Sequence, residues 1–148
     1  MLNIRRITAA DKDEYINMAR EFYSTDAVLF CVPEGHFFST FDELMRSDCY
    51  AVCYIFELDG KIAGYSLLAN TFSQEAGGKV VWIEEIFVLP EFRGMGIAKN
   101  FFTQLINSRT PDIKRFRLEA ERANEGAIRL YKSLGFDFLD YDQMVLDF

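Results

Sequence analysis

A glycine-rich turn in the second half of the chain carries the clearest chemical signal. The segment Arg93-Gly94-Met95-Gly96-Ile97-Ala98 follows an apolar strand pattern and leads directly into a helix pattern. Such a turn leaves several backbone N–H groups without partners at the positive end of a helix dipole, which favours phosphate. It lacks the Gly-Lys-Ser/Thr of a P-loop, and Lys99 stands where a dinucleotide fingerprint has a third small residue. The turn therefore predicts a phosphate site that belongs to neither nucleotide motif.

Two adjacent glutamates interrupt the strand pattern before this turn. Glu84 and Glu85 lie within residues 79–88, where apolar residues occupy both faces, as in a central strand. Neighbouring residues of a strand point to opposite faces, so only one of the two carboxylates can line a given side of the sheet. Alternation predicts that Glu84 shares its face with Trp82, Ile86 and Val88.

The cysteines and the histidine do not support nucleophilic or metal chemistry. Cys31, Cys49 and Cys53 are odd in number and match no CxxC metal pattern. His36 is the single histidine, which leaves no Ser/His or Cys/His nucleophile system to build. We therefore expect reduced thiols and no metal site.

Length and charge limit the class of protein. The chain has 148 residues, with 16 Lys plus Arg against 23 Asp plus Glu and a net charge of -7, which predicts one acidic domain over residues 1–148. An acidic surface disfavours nucleic acid and anionic membranes as partners. No apolar run approaches the ~20 residues of a membrane span, and the first residues lack the apolar region of a signal peptide. We therefore expect a cytoplasmic protein.

The hydrophobic periodicity predicts the order β-α-α-β-β-β-α-β-α-β. In chain order the predicted elements are a strand over 2–7, a helix that begins at 8–11, an irregular aromatic segment broken at Pro33 and Gly35, a helix capped by Thr40, strands over 50–58 and 61–72 joined by Asp59-Gly60, a strand over 79–88, a helix over 97–108, a strand over 114–121, a helix from Asn124 to Leu134, and one or two closing strands in 136–148. The glycine turn then lies between a central strand and the helix that follows it.

Three segments together resemble a known family. The turn has the form Arg/Gln-x-x-Gly-x-Gly/Ala, filled by Arg93, Gly96 and Ala98. It is preceded by Trp82-Ile-Glu-Glu-Ile-Phe-Val-Leu-Pro-Glu-Phe-Arg93 and followed, after one strand, by Asn124-Glu-Gly-Ala-Ile-Arg-Leu-Tyr-Lys-Ser-Leu-Gly-Phe136. In this order and spacing the chain resembles the GNAT superfamily of N-acetyltransferases over nearly its whole length. The resemblance implies a single α/β (α+β) domain whose mixed, mostly antiparallel central sheet is flanked by helices.

The resemblance also implies acetyl-CoA as the co-substrate, with no metal. The pyrophosphate would lie on turn amides and the pantetheine along a strand end that splays from its neighbour. In this sequence the strand end is Ile86, Phe87 and Val88, and the turn amides are those of Arg93, Gly94, Met95, Gly96, Ile97, Ala98 and Lys99. The amide of Val88 would donate a hydrogen bond to the oxyanion of the tetrahedral intermediate. One such donor generally stabilises the transition state by ~3 kcal/mol. Asn124 is the usual family residue beside the pantetheine, although helix capping alone would explain it.

Acetyl transfer to an amine requires removal of a proton from the ammonium and delivery of one to the departing thiolate. The resemblance makes Tyr131 the proton donor, while a core tyrosine is the alternative. By similarity to spermidine/spermine acetyltransferases, Glu84 is the first choice for the base and Glu85 the second. Many family members use no fixed base, so a carboxylate here could instead attract the cation.

The favoured function is acetyl transfer from acetyl-CoA to a small cationic primary amine by direct attack in a ternary complex. Residues 1–90 hold 7 basic and 14 acidic side chains, and in this fold they would supply most of the acceptor side. Residues 91–135 hold 9 basic and 5 acidic side chains and would meet the CoA phosphates. The alternatives are acetylation of a protein N-terminus or lysine, and a CoA-binding sensor without transfer activity.

Two further expectations concern assembly and the acceptor. Pairing of the last strands or of a sheet edge would allow a homodimer. An aromatic cage for the amine could be formed by Phe30, Phe37, Phe38, Phe41 and Trp82.

Overall fold

A five-stranded sheet with helices on both faces forms the fold. The computed structural model describes residues 1–25, 28 and 31–148. The strands are β1 (Leu2–Arg6), β2 (Ala51–Leu58), β3 (Lys61–Ser73), β4 (Gly78–Val88) and β5 (Ile113–Leu118). The helices are α1 (Lys12–Phe22), α2 (Glu34–Arg46), α3 (Ile97–Asn107) and α4 (Glu125–Ser133), with short 3₁₀ turns at Ala9–Asp11 and Pro90–Phe92.

The sheet follows the chain order β1-β2-β3-β4-β5. Neighbours from β1 to β4 are antiparallel, whereas β5 runs parallel to β4. Asp59 and Gly60 join β2 to β3 with positive φ angles of 52° and 79°, as a tight hairpin turn with a primed geometry requires. The prediction of a mixed, mostly antiparallel sheet is confirmed.

The sheet separates two hydrophobic clusters. On one face, α1 and α2 pack onto the sheet through buried side chains that include Tyr15, Phe22 and Phe41. On the other face, α3 contributes the fully buried Phe101 and Phe102, and α4 packs beside them. We call these the α1–α2 face and the α3–α4 face. Each helix thus buries one apolar side against the sheet, as the predicted periodicity requires.

The second helix is longer than its predicted form. α2 begins directly after Pro33, so the prediction of an irregular segment up to a cap at Thr40 is wrong. Thr40 lies inside the helix, where its hydroxyl donates to the carbonyl one turn earlier at 2.8 Å. Phe37 and Phe41 stand one turn apart and are both buried. Their burial outweighs the local capping signal, because most helical stability comes from packing of an apolar face.

The predicted closing strands are also absent. Residues 136–148, all described by the structure, form no strand. Their apolar side chains stay largely exposed, among them Phe138, Tyr141, Met144, Val145, Leu146 and Phe148. Two side-chain hydrogen bonds connect the segment to the rest of the chain, from Lys132 to Asp137 and from Gln143 to Glu119. Alternation alone does not hold a strand without a hydrogen-bonded neighbour.

Other sequence expectations concern the thiols and the membrane. Cys31, Cys49 and Cys53 are free, as predicted, and Cys53 is buried in the α1–α2 face. Within the described ranges, no helix is long and apolar enough to cross a bilayer. In the same part of the chain, no group of three or more His, Cys, Asp or Glu residues is arranged to hold a metal ion.

Candidate active site

The strands β4 and β5 diverge partway along β4. Their parallel pairing runs from Lys79 with Ile113 to Ile83 with Leu118, and there β5 ends. β4 continues through residues 84–88, whose edge on this side has no β5 partner. We call this opening the fork. Backbone groups along its β4 edge require hydrogen-bond partners from water or from a ligand.

A β-bulge lies in β4 at the start of the fork. On the neighbouring strand β3, Leu67 pairs with Glu85 and Leu68 pairs with Ile83. Glu84 is therefore the extra residue of β4. A bulge of this kind bends its strand and redirects the side chains that follow it.

The bulge changes which face those side chains occupy. Ile83 and Ile86 both pack on the α3–α4 face, although unbroken alternation would place them on opposite faces. Phe87 packs on the α1–α2 face. The prediction that Trp82, Glu84, Ile86 and Val88 share one face is wrong, because it assumes a strand without a bulge. Trp82 alternates with Ile83, whereas Ile86 and Val88 lie on the same face as Ile83.

Two glutamates flank the fork. Glu84 follows Ile83, the last β4 residue that pairs with β5, and Glu119 follows Leu118, the last residue of β5. Both side chains are exposed, and Glu119 accepts a hydrogen bond from Gln143. Partial desolvation, together with the negative charge of Glu119, raises the pKa of Glu84. The Glu84 carboxylate has no hydrogen-bond partner among the described residues and remains available to a ligand.

Glu85 lies in a different environment on the α1–α2 face. Its side chain is only 8% exposed. Tyr23 donates to Oε1 at 2.7 Å and Tyr65 donates to Oε2 at 2.5 Å. Burial raises the pKa of Glu85, while the two hydroxyl donors act in the opposite direction.

The backbone of Val88 faces the fork. The next residue, Leu89, donates its amide to Ala63 of β3 at 2.9 Å. Successive residues of a strand direct their backbone groups to opposite edges, so the amide and carbonyl of Val88 point away from β3. Nε of Arg93 donates to the Val88 carbonyl at 2.9 Å. The carbonyl is therefore engaged and the amide is directed into the fork.

The glycine turn presents a series of backbone amides at the start of α3. Gly96 caps this helix with a left-handed φ of 76°, and the first helical bond runs from the amide of Asn100 to the Gly96 carbonyl at 2.9 Å. The amide of Arg93 donates to the Pro90 carbonyl at 3.2 Å. It is therefore not available to a pyrophosphate, unlike the prediction that the amides from Arg93 to Lys99 all are. Across the described chain, no backbone acceptor serves the six amides of Gly94, Met95, Gly96, Ile97, Ala98 and Lys99. An anion placed there would meet both these donors and the positive end of α3.

Tyr131 and Asn124 lie on α4. Asn124 caps the helix, as predicted, since its Oδ1 accepts from the amide of Ala127 at 3.2 Å. The Tyr131 ring packs edge-on against Phe102, with centroids 5.5 Å apart. Burial raises the pKa of the Tyr131 phenol, so it stays protonated at neutral pH. Within the described part of the chain its hydroxyl has no hydrogen-bond partner.

A cavity of about 690 Å³ lies beside β5 and α4. Its walls include Tyr131, Leu118 and Glu119. Glu84 and Val88 do not line it. Tyr131 nevertheless belongs to the same hydrophobic cluster as Val88 on the α3–α4 face.

The residues considered for an aromatic cage do not form one in the described part of the chain. Phe37 and Phe41 are buried in the core, and Phe38 is an exposed residue whose ring lies near the Lys12 ammonium. The Trp82 ring lies 4.2 Å from the Arg117 guanidinium. Phe30 falls outside the described residues.

Comparison with known proteins identifies the family. The model of the acetyltransferase (GNAT) family matches residues 13–136. This chain belongs to the GNAT family. The resemblance to the GNAT superfamily inferred from the sequence and the predicted GNAT-like fold are both confirmed.

Three GNAT-related proteins resemble the chain in different ways. An uncharacterized N-acetyltransferase of Methanocaldococcus jannaschii is 32% identical over 142 residues, which cover 90% of this chain and 60% of that relative. The thialysine N-epsilon-acetyltransferase of Mus musculus is 24% identical over 159 residues, which cover 98% and 89%. The structure of AAC(6')-Iy in complex with the bisubstrate analogue CoA-S-monomethyl-acetylneamine has a TM-score of 0.80 at 17% identity, with 99% of this chain and 98% of that chain covered. The chain thus spans about 60% of the length of its archaeal relative.

Within this GNAT fold, the structure brings some candidate residues together and separates others. The fork edge with Val88 and the amides of 94–99 lie at the same end of β4. Glu84 and Glu85 are separated, one exposed at the fork and one buried on the α1–α2 face.

Sequence reasoning missed three residues around these carboxylates. Glu119 carried only a weak signal, as an acidic residue inside the predicted strand over 114–121. Tyr23 and Tyr65 left no local signal, since each meets Glu85 through tertiary packing.

Proposed function

We propose that this chain transfers the acetyl group of acetyl-CoA to a small, positively charged primary amine, which attacks directly in a ternary complex. The observation that carries the proposal is the fork, where an unpaired β4 edge runs toward a turn with six available amides. One end of this arrangement suits phosphate, and the other suits an extended chain of amide groups. Acetyl-CoA combines both features.

The donor side uses backbone groups and two basic residues. The amides of Gly94 through Lys99 would hold the pyrophosphate, with the charges of Arg93 and Lys99 nearby in the chain. The Gly96 conformation keeps this turn open, since no side chain stands between the backbone and a ligand. The bound structure of AAC(6')-Iy with a CoA-containing analogue supports a CoA site in this fold.

The thioester would lie at the fork. Pantetheine amides would pair with the free backbone edge of residues 86–88, and the Val88 amide would donate to the thioester oxygen. A donor aimed at a developing oxyanion is generally worth ~3 kcal/mol in the transition state. Val88 suits this role because the amide faces the fork while Arg93 holds the carbonyl.

Two side chains would handle the protons. Glu84 would take a proton from the ammonium, directly or through water, and its raised pKa makes it a stronger base than an ordinary glutamate. The neutral amine then forms the new C–N bond as the C–S bond breaks. Tyr131, kept protonated by burial, would deliver a proton to the departing thiolate. The attacking nitrogen loses its second proton through water to the Tyr131 phenolate, which restores the phenol, and Glu84 releases its proton to solvent. The products are the acetylated amine, the free thiol of CoA and one proton.

The charge around the fork indicates a cationic acceptor. Glu84 and Glu119 present two carboxylates at its start, and a third carboxyl group, that of Glu85, is buried beside the bulge. Negative charge raises the local concentration of cations and disfavours anionic acceptors. The thialysine N-epsilon-acetyltransferase among the relatives carries an amine substrate in its name, which agrees with this class.

Release of thiol from acetyl-CoA, followed with a thiol reagent across a panel of amines, peptides and aminoglycosides, tests the proposal. We expect small cationic primary amines to raise the rate well above the rate without acceptor. Tight binding of acetyl-CoA with no acceptor-dependent thiol release would instead identify a CoA-binding module. Faster release with peptides than with any small amine would favour a protein acetyltransferase.

A further inference from the structure

A buried carboxylate joins three elements of the α1–α2 face. Glu85 lies on β4, Tyr65 on β3, and Tyr23 directly follows α1. Each carboxylate oxygen accepts one phenol hydroxyl, at 2.7 Å from Tyr23 and 2.5 Å from Tyr65. The backbone is fixed as well, because the Ser66 hydroxyl donates to the Glu85 carbonyl at 2.8 Å. Glu85 is therefore held at both ends, one residue beyond the bulge.

The groups around Glu85 supply hydrogen bonds but no positive charge. Besides the two bonded tyrosines, its titratable neighbours are Tyr15 from α1, Cys53 from β2 and Glu84 from β4. None of these is a cation, and no ion pair of the described residues involves Glu85. A buried carboxylate without a cationic partner is costly, so it is either neutralised by a proton or held charged by hydrogen bonds.

The arrangement of the donors favours the charged form. A phenol hydroxyl is a good donor to a carboxylate, and an ionised carboxylate accepts at both oxygens. A protonated carboxyl would carry an O–H that needs an acceptor, and among the described residues only the two tyrosine oxygens lie within hydrogen-bond distance of the Glu85 carboxyl. Short bonds to both oxygens, from two separate elements, fit the ionised state.

We propose that Tyr23 and Tyr65 keep the Glu85 carboxylate charged at neutral pH, so that Glu85 provides the buried negative charge that orients a cationic acceptor beside Glu84. This inference rests on the proposed amine acetyltransferase activity. Tyr23 is then a positioning residue, because it acts on the acceptor through Glu85. Tyr23 is half-buried, whereas Tyr65 is fully buried, so a change at Tyr23 disturbs the core less.

Titration of the Glu85 side-chain carboxyl carbon by 13C NMR tests the charge without any substrate. We expect Glu85 to be ionised at pH 7 in the unaltered protein. In Tyr23→Phe its titration midpoint should rise by about one pH unit, because one hydrogen bond to the charged form is lost. Tyr15→Phe is the matched control, since Tyr15 contacts the Tyr65 ring but does not bond to Glu85. A neutral Glu85 at pH 7, or an unmoved midpoint in Tyr23→Phe, would overturn the proposal.

Steady-state kinetics with 1,4-diaminobutane test the link to the acceptor. Relative to the unaltered protein, Tyr23→Phe should raise the KM for the diamine by up to about threefold at pH 6.5 and hardly at all at pH 8.5, where Glu85 ionises again. The KM for acetyl-CoA should not change. Glu85→Gln should raise the KM for the diamine by the same factor at both pH values, because glutamine does not titrate. An equal rise at both pH values in Tyr23→Phe would show a merely structural role.

The two claims fail in different ways. If no amine is acetylated by the unaltered protein, the proposed function is wrong, whatever the NMR titration shows. If amines are acetylated but Tyr23→Phe behaves like Tyr15→Phe in both measurements, the function stands and the role of Tyr23 is wrong.

Discussion

Glu84 and Glu119 lie near each other at the point where β4 and β5 diverge. Each is the first residue beyond the last paired position, Ile83 on β4 and Leu118 on β5. Two carboxylates at the start of the fork repel each other, and the charge of Glu119 contributes to the raised pKa of Glu84. A cationic acceptor would relieve this repulsion, which connects substrate choice with the strength of the base.

Glu119→Gln should shift the pH dependence of acetyl transfer. Removal of the like charge lowers the pKa of Glu84, so Glu84 is deprotonated at lower pH and the acid limb of kcat/KM moves to lower pH. The KM for a cationic amine should rise as well, because one attractive charge is lost. Glu121→Gln, two residues further along the chain, is the control and should leave the acid limb unchanged. An acid limb that does not move in Glu119→Gln would separate Glu119 from the base.

Tyr131→Phe should lower kcat at least tenfold and leave the Kd of acetyl-CoA nearly unchanged. The hydroxyl is the only group removed, and the ring contact with Phe102 stays intact. Calorimetry for acetyl-CoA and thiol release for turnover measure the two quantities. Tyr141→Phe, at an exposed tyrosine, provides the control. Unchanged turnover in Tyr131→Phe would remove its role as the acid.

Gly96→Val should weaken acetyl-CoA binding more than tenfold. Gly96 adopts a φ of 76°, where a β-branched residue is strained, so the amides before α3 would lose their arrangement. Gly35→Ala in α2 is a suitable control, since an added Cβ there meets no atom within 4 Å. Calorimetric titration with acetyl-CoA measures the effect. Equal affinities for the two variants would contradict the phosphate site.

Asp11→Asn should reduce the free energy of unfolding by about 2 kcal/mol at pH 7. Asp11 is 5% exposed and accepts two bonds from the Arg5 guanidinium at 2.7 and 2.8 Å, which lowers the pKa of Asp11 to about 2. This stabilisation is present above the ordinary carboxyl pKa near 3.8 and is lost as the pH falls toward 2.

Urea unfolding at pH 7 and at pH 2.5 checks the sign of this effect. The difference between the unaltered protein and Asp11→Asn should shrink at the lower pH. Asp48→Asn, whose exposed partner Arg6 lies at 3.4 Å, should change little at either pH. A difference for Asp11→Asn that persists unchanged at pH 2.5 would contradict the assigned pKa.

Patterns local in the sequence were predictable. The spacing of Tyr15 and Phe22 predicted a helix with one buried side, and Asp59-Gly60 predicted the hairpin turn. The glycine turn and the cap at Asn124 depend on short-range backbone geometry, so the sequence was sufficient for both.

Features that depend on pairing between distant strands were not predictable. The bulge at Glu84 arises from the register with Leu67 and Leu68 of β3, and a single extra residue reversed the predicted faces of the following side chains. Tyr23 meets Glu85 across 62 residues. The start of α2 was missed for a related reason, because burial of Phe37 against the rest of the fold decides it.

A competition between three amines of equal chain length tests the central claim most directly. Equimolar 1,4-diaminobutane, 4-aminobutan-1-ol and 4-aminobutanoate are incubated with acetyl-CoA and the protein, and the acetylated products are quantified by mass spectrometry. A cationic acceptor held at the fork predicts most product from the diamine, less from the amino alcohol and least from the amino acid. Acetylation of none of the three, or preference for 4-aminobutanoate, would contradict the account.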